Sequence, residues 1–322
     1  MTNERGDFAF RAPSLYGTAD DFTYAGAMSF LRRRYTRDLA GVDVVVSGIP
    51  YDLGTSNRPG SRFGPRAIRQ ASTHMSWGPQ WPYDFDPMHR LAVIDWGDHA
   101  FDIGYPDRMM SSVETNTRGF FEAGCFPMTM GGDHFVTYPL LRAAAKHHGK
   151  GLSLIHFDAH TDTSRTDNLN HGSMFYHATK DGLIDPARSI HMGIRMHVSY
   201  KDGFNVIDGW QMQRRSVDDI GAQIRDVVGD NKAYVTFDID FLDPAYAPGT
   251  GTPVVGGPTT TVALDVLRQL KGLDLIGMDL VEVAPEYDVG EVTSLAGASI
   301  MYQMLHVLAV DRPVMIETDD GG

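Results

Sequence analysis

The chain has almost no cysteine: a single residue, Cys125, in 322. A lone thiol can close no internal disulfide, and such usage suits a reducing compartment, so the cytoplasm is expected. Cys125 stands at the entrance to an apolar run, where a buried cysteine serves as a small apolar residue rather than a nucleophile. Basic charge is also scarce. The chain has 28 Lys and Arg against 41 Asp and Glu, a net charge of −13. This excludes nucleic-acid backbones and anionic membrane surfaces as partners. The one basic run, Arg32-Arg33-Arg34, reads as a solvated patch. The opening MTNERGDFAF has no apolar core of the signal-peptide kind, and no stretch is expected to reach bilayer-spanning length. A phosphate-binding loop is missing too. The Gly-rich stretch after residues 42–49 has no Gly-Lys-Ser/Thr step, and it reads instead as a loop at the mouth of a site.

What the chain does have is acids at strand ends. Residues 153–162 read SLIHFDAHTD. Leu154, Ile155 and Phe157 fit a strand buried on both faces, which then breaks into Asp158, His160 and Asp162. Alternate residues of an extended chain point the same way, so these three can face one point. Residues 233–243 (AYVTFDIDFLD) repeat the form with Asp238 and Asp240. Residues 126–134 (FPMTMGGDH) end in a Gly-Gly turn and Asp133-His134. Convergent carboxylates are costly unless a cation binds among them. His134, Asp158, His160, Asp162, Asp238 and Asp240 exceed what one ion needs, and sharing carboxylates between two ions is the economical reading. Oxygen-rich ligation with two imidazoles and no thiolate suits Mn²⁺. Each stretch alone could be an ordinary polar turn; three together are poorly explained that way.

In chain order, residues 1–40 mix aromatics into polar sequence and read as an N-terminal arm with one helix over 25–37. Strands are expected over 42–49, 91–96, 126–130, 154–157, 190–194, 205–207, 234–237 and 275–281. Helices are expected over 109–123, 138–148, 216–228, 260–270 and 292–309, and another opens at Gly64-Pro65. Ser216 and Thr260 are placed as N-caps. Roughly eight strands alternating with helices argue for an α/β fold, a largely parallel sheet covered on both faces. No low-complexity linker or fixed-period repeat divides the sequence, so one domain over 1–322 is expected. In such sheets sites lie at the carboxyl ends of strands, where all six candidate ligands fall. The 275–281 strand adds Glu282 on the same rim. A carboxylate there can grip a guanidinium through two hydrogen bonds; a surface ion pair is the alternative. His171, after the loop 163–170, can carry protons near neutral pH; a packed or solvated histidine is the alternative. The terminal ETDDGG reads as a frayed end.

GGDH at 131–134, DAHTD at 158–162 and FDIDFLDPAYAPGTGTP at 237–253 resemble the three signatures of the ureohydrolases, the arginase and agmatinase family. GIPYD, GSRFGPRAIR, HGSMF and GMDLVEVAPEYD also fit. The resemblance covers most of the chain. It implies a three-layer α/β/α arrangement around an eight-stranded parallel sheet, and two Mn²⁺ ions per chain. One ion would be held by His134, Asp158, Asp162 and Asp238. The other would be held by Asp158, His160, Asp238 and Asp240, with Asp158 and Asp238 bridging. A hydroxide between the ions would attack a guanidinium carbon, releasing urea and an amine. Asp162 would orient the hydroxide, His171 would shuttle protons and Glu282 would hold the guanidinium. A small guanidino substrate and a homotrimer or homohexamer are implied with them.

GGDHFVTYPLLRA, HGSMFYHATKDGLIDP and VEVAPEYD look most like the bacterial agmatinase branch, which turns agmatine into urea and putrescine. The loop TSRTDNLN lacks the Asn and Ser pattern of arginase-type sequences, which argues against arginine. Arg165 in that loop leaves 4-guanidinobutyrate, or another guanidino acid, as an alternative. An inactive metal-binding protein is a further reading, opposed by the intact ligand set with His171 and Glu282. A single-zinc deacetylase is another, separable by metal content.

Overall fold

The computed structural model describes residues 7–12, 14–18, 22–197 and 202–316. Runs such as Val44–Gly48 and Ser153–Phe157 are buried at every position. Neither face of their sheet meets water, so their sequences are near-continuously apolar rather than alternating. Among the described residues nine strands pair. They are β1 (Arg34–Tyr35), β2 (Val44–Gly48), β3 (Val93–Asp98), β4 (Phe126–Met130), β5 (Ser153–Phe157), β6 (Ile190–Ile194), β7 (Asn205–Asp208), β8 (Ala233–Asp238) and β9 (Leu275–Val281). Their order across the sheet is β1-β3-β2-β4-β9-β8-β5-β6-β7, and every pairing is parallel. The expected count of eight is therefore one short. The extra strand, β1, is a two-residue edge against β3, too short for any periodicity to reveal.

Parallel neighbours need crossovers, and helices supply them. Helices Gly64–Ser72, Val217–Val228, Thr260–Arg268 and Val292–Ala309 cover one face, packing Ile68, Ile224, Val266 and Ile300 into one core. Helices Pro106–Glu122, Thr137–His148 and Met174–Lys180 cover the other, packing Val113, Leu141 and Phe175. The result is the α/β/α layering. Each such fully buried aliphatic or aromatic side chain stabilises the fold by about 1.5–3 kcal/mol. Ser216 caps its helix by accepting from Asp219 N–H. The next cap is Thr259 rather than Thr260: its hydroxyl accepts from Val262 N–H, and Thr260 is already helical.

Helix Val292–Ala309 corrects one expectation. It has 18 residues and a mean hydropathy of 1.3, long and apolar enough to cross a membrane by those measures alone. It is 78% buried inside the protein and packs against helices Gly64–Ser72 and Thr260–Arg268, so it is a core helix, apolar all round.

The arm departs furthest from expectation. No helix forms over 25–37. Phe30–Arg32 makes one tight turn, with Leu31 and Arg32 at φ 47° and 54°. Tertiary partners override local propensity here: Phe30 N–H donates to Asp95 Oδ2 at 2.8 Å, and Leu31 N–H to Ser72 Oγ at 2.8 Å. Nor is the basic run a solvated patch. Arg32 and Arg33 are 2% and 1% exposed. Arg33 donates to the Leu31 and Gly17 carbonyls at 3.0 and 2.6 Å and lies 5.0 Å over the Phe8 ring. Arg32 donates to the Phe22 and Ala25 carbonyls. Only Arg34 is exposed. The frayed end read at residues 317–322 lies outside the described residues.

Candidate metal centre

Four neighbouring strands, β4, β9, β8 and β5, carry the site at their carboxyl ends. β4 runs into Gly131-Gly132-Asp133-His134. A Cβ on Gly132 would lie 1.7 Å from the Tyr51 carbonyl oxygen, so only glycine lets this turn pass. Asp133 N–H then donates to that carbonyl at 2.8 Å. The Asp133 side chain accepts from Gly54 N–H at 2.6 Å, tying the loop that bears Ser56 to the rim. β5 continues into Asp158, His160 and Asp162. β8 ends at Asp238 and leads to Asp240. β9 leads to Glu282.

The six candidate ligands come together in two groups. His134 Nδ1 lies 3.1 Å from Asp158 Oδ2, 2.9 Å from Asp162 Oδ2 and 3.3 Å from Asp238 Oδ2, yet this buried nitrogen makes no hydrogen bond. His160 Nδ1 lies 3.2 Å from both Asp158 Oδ1 and Asp240 Oδ2. Asp158 thus turns one oxygen to each group. Backbone donors hold the acids in place: His160 N–H to Asp158 Oδ1 at 2.6 Å, Asp240 N–H to Asp238 Oδ1 at 2.8 Å and Ala159 N–H to Asp240 Oδ1 at 3.1 Å. Among the described residues no Lys or Arg forms an ion pair with these four carboxylates. Arg195 is close enough to feel them, but it donates to the carbonyls of Gly193, Asp240, Phe241 and Val254.

The electrostatics are those of a cluster short of positive charge. Burial and the charges of Asp240 and Asp158 push Asp238 well above the usual carboxylate range. Burial and Asp158 push Asp240 up to about 6. Burial disfavours the charged form of His134 and His160, but the carboxylates outweigh it. They hold His134 well above its ordinary value and His160 up to about 12. Four carboxylates, two imidazoles and an unbonded, buried ring nitrogen fit divalent cations with a taste for oxygen and imidazole. The two donor groups, His134 with His156, Asp158 and Asp162, and His160 with Asp158 and Asp240, each come within the reach of one ion.

A polar row beneath the ligands escaped the sequence reading. Ser47, Thr129, Asp279, Thr236, His156 and His191 are register partners in that order across six adjacent strands, and all are buried. Thr236 Oγ1 stands 2.8 Å from His134 Nε2 and donates to Asp279 Oδ1 at 2.6 Å. Nε2 of His134 therefore carries a proton, which leaves Nδ1, turned to the carboxylates, as the nitrogen that a cation can take. The signal was present in the sequence. Each member is a polar residue inside an otherwise apolar strand, and His156 and Thr236 lie two positions before Asp158 and Asp238.

On the rim, Glu282 Oε1 accepts from His134 N–H at 2.9 Å and lies 2.9 Å from His171 Nδ1. Its other oxygen, Oε2, is buried and has no hydrogen-bond partner. Asp162 and Glu282 both hold left-handed backbone, φ 51° and 65°, a strain that clusters at functional sites. His171 Nε2 lies 2.7 Å from Ser56 Oγ and 3.0 Å from Ser56 N–H. Burial would lower the His171 pKa, but Glu282, with Asp162 and Asp133, holds it up to about 9. Glu282 favours the charged ring, while the Ser56 N–H, aimed at Nε2, makes that nitrogen an acceptor and leaves the neutral ring's proton on Nδ1, facing Glu282. These groups open on a cavity of 280 Å³ lined by Ser56, His160, Asp162, His171, Asp238 and Thr252. A larger cavity of 670 Å³ adjoins it, sharing Thr161 and Met196, but the paired ligands mark the smaller one as the site. Arg165 lies on the neighbouring loop in an ion pair with Asp202, its Nε 3.2 Å from Asp202 Oδ1.

The chain matches the arginase-family model over residues 42–306 and belongs to that family. Within it, the chain is 50% identical over 303 residues to a Chromobacterium violaceum protein named agmatinase, covering 93% of this chain and 94% of that one. A solved structure described as a hypothetical agmatinase from Burkholderia thailandensis matches with a TM-score of 0.93 at 49% identity, over 95% of this chain and 98% of that one. Proclavaminate amidino hydrolase from Streptomyces clavuligerus matches with a TM-score of 0.84 at 36% identity, over 90% and 99%.

Proposed function

We propose that the chain is an amidinohydrolase that cleaves agmatine to urea and putrescine with two Mn²⁺ ions. One observation carries the substrate class: Glu282 keeps a buried, unbonded Oε2 on the rim of a divalent-cation cluster. A guanidinium N–H satisfies that oxygen and brings its own positive charge. His134, Asp158, Asp162 and Asp238 would hold one ion, and Asp158, His160, Asp238 and Asp240 the other. Such ions, when bound, supply hydroxide near neutral pH and polarise the carbon it attacks.

The chain's own groups do the rest. Glu282 orients the guanidinium, and its Oε1 is fixed by His134 N–H and His171. Asp162, on its left-handed turn, faces the same cavity and can accept a proton. His171 turns Nδ1 to Glu282 and Nε2 to the Ser56 N–H and hydroxyl, and a proton taken up at Nε2 can be delivered to the leaving amine. Agmatine is favoured over 4-guanidinobutyrate because Arg165, the candidate partner for a carboxylate tail, is already paired with Asp202. A net charge of −13 also draws in a dication. A homotrimer or homohexamer, which the family resemblance implies, would offer cover to aromatic residues left in solvent, among them Trp77, Trp81 and Trp210 at 70%, 91% and 68% exposure. A cytoplasmic location is supported by the single reduced thiol.

The test is urea release from Mn²⁺-loaded protein offered agmatine, 4-guanidinobutyrate and arginine in parallel. Preference for agmatine is expected. Preference for guanidinobutyrate would keep the chemistry and overturn the tail assignment. No urea from any of the three, with metal bound, would overturn the activity.

A further inference from the structure

Asp158 turns one oxygen to each cation group, and it is held from below. His156 Nε2 lies 2.8 Å from Asp158 Oδ2 in hydrogen-bonding geometry. This differs from His134, whose Nδ1 is similarly close to the same oxygen yet hydrogen-bonds nothing. The second nitrogen of His156, Nδ1, lies 2.6 Å from Nδ1 of His191 on the adjacent strand. These residues are register partners on β5 and β6, and both rings are buried. Two nitrogens at that separation share one proton. If His156 held it, a neutral His156 would turn a bare lone pair toward the Asp158 carboxylate. If His191 holds it, every contact is satisfied: His191 Nδ1–H donates to His156 Nδ1, and His156 Nε2–H donates to Asp158. His191 Nε2 then accepts from no protein group, and its ring lines the 670 Å³ cavity beside the site. Phe175 and Phe204 pack on the two rings, with centroids 4.7 Å from His156 and 4.2 Å from His191, and fix their planes.

We infer that His156 and His191 are positioning residues for the shared carboxylate: His191 sets the tautomer of His156, and His156 fixes the orientation of Asp158 toward both ions. This rests on the two-ion reading of the site. The arrangement parallels the Asp279–Thr236–His134 relay one strand away, so two separate ligands are oriented from the same polar row. Outer partners of this kind are worth about 10–100-fold in metal affinity.

The test compares H191N with H191L, and adds H156Q. An asparagine amide can take the place of the Nδ1 donor; a leucine cannot. The readouts are Mn²⁺ bound per chain and its dissociation constant by equilibrium dialysis, the melting temperature of the metal-free protein, and kcat and KM for urea release. H191L is expected to weaken Mn²⁺ binding about 10–100-fold and to lower kcat more than it raises KM. H191N is expected to recover the affinity that H191L loses, and H156Q to retain both ions. Equal losses in H191N and H191L would overturn the inference. So would a lowered melting temperature in H191L with unchanged Mn²⁺ binding, which is a packing role alone. Loss of one ion from H156Q would make His156 a ligand and overturn it as well. A wild-type chain that binds no Mn²⁺ would overturn the two-ion reading itself, independently of either histidine.

Discussion

Two acid clusters stand at the carboxyl ends of this sheet, and they are neutralised differently. At the end of β3, Asp95 and Asp98 enclose Arg69, with Nε 2.8 Å from Asp95 Oδ2, Nη2 3.0 Å from Asp95 Oδ1 and Nη1 2.6 Å from Asp98 Oδ1. Burial opposes the charge on Arg69, but the two acids outweigh it and raise its pKa above the ordinary value. At the ends of β5 and β8, four carboxylates have imidazoles but, among the described residues, no guanidinium or ammonium paired with them. The first cluster carries its cation in the chain, and the second is the one we propose takes its cations from outside. In sequence the two look alike, since DWGD and DAHTD both close an apolar strand. The difference lies in a helix residue 26 positions before Asp95.

The sharpest way to break this comparison is to alter one acid or cation in each cluster. D158N removes the shared carboxylate, and a metal pair is worth several kcal/mol to the transition state. Urea release from agmatine should fall by roughly 10³-fold or more, while the metal-free protein loses less stability than R69M does. Against burial, His156, His134 and His160 hold Asp158 well below the usual carboxylate range, but the amide of D158N still accepts from His160 N–H. R69M should do the converse. It leaves Asp95 buried and unpaired, at a cost of roughly 3–5 kcal/mol in denaturant melts, with little change in the rate per folded molecule. Similar melting behaviour in the two variants would erase the distinction.

Removing the proposed proton carrier comes next. H171A should lower kcat by about 10²-fold or more. The His171 pKa is raised, to about 9, so the charged ring is present below that pH and lost above it. Wild-type activity should decline as pH rises through about 9, and the H171A profile should be flat there. A wild-type decline that persists unchanged in H171A would assign it to another group.

Metal removal is a smaller effect, read in stability. Mn²⁺ at 100 times its dissociation constant should stabilise the protein by about 2.7 kcal/mol per ion, reversibly on chelation. R69M should show the same increment. Loss of the increment in R69M would mean that the two clusters are coupled. The smallest effect belongs to the rim loop. Exposed ion pairs contribute about 0–1 kcal/mol, so R165A should change kcat/KM for agmatine by less than about fivefold. A large change there would bring the loop into substrate binding.

The sequence made some parts of this molecule plain and hid others, for physical reasons. Alternate acids after an apolar run mark the rim because side chains in extended chain repeat every second residue. The convergence of the acids after β5 and β8 could therefore be read directly, as could the place of Glu282 at the end of β9. The polar row could not. His156 inside SLIHF or Thr129 inside FPMTM has meaning only when neighbouring strands are in register, and register is a property of the assembled sheet. Arg32 and Arg33 misled for a related reason. Their partners are backbone carbonyls at Gly17, Phe22, Ala25 and Leu31, and composition records a charge but not the carbonyls that fold around it. The same holds for Phe30, whose N–H bonds Asp95 from 65 residues away and so replaces the helix that local pattern suggests.

The most direct measurement is the manganese retained per chain after equilibrium dialysis of wild type, D158N and R69M. The prediction is about two ions per wild-type chain, a loss in D158N and no loss in R69M. Wild-type protein that retains no manganese, or D158N that retains as much as wild type, would contradict the assignment of this rim as the cation site.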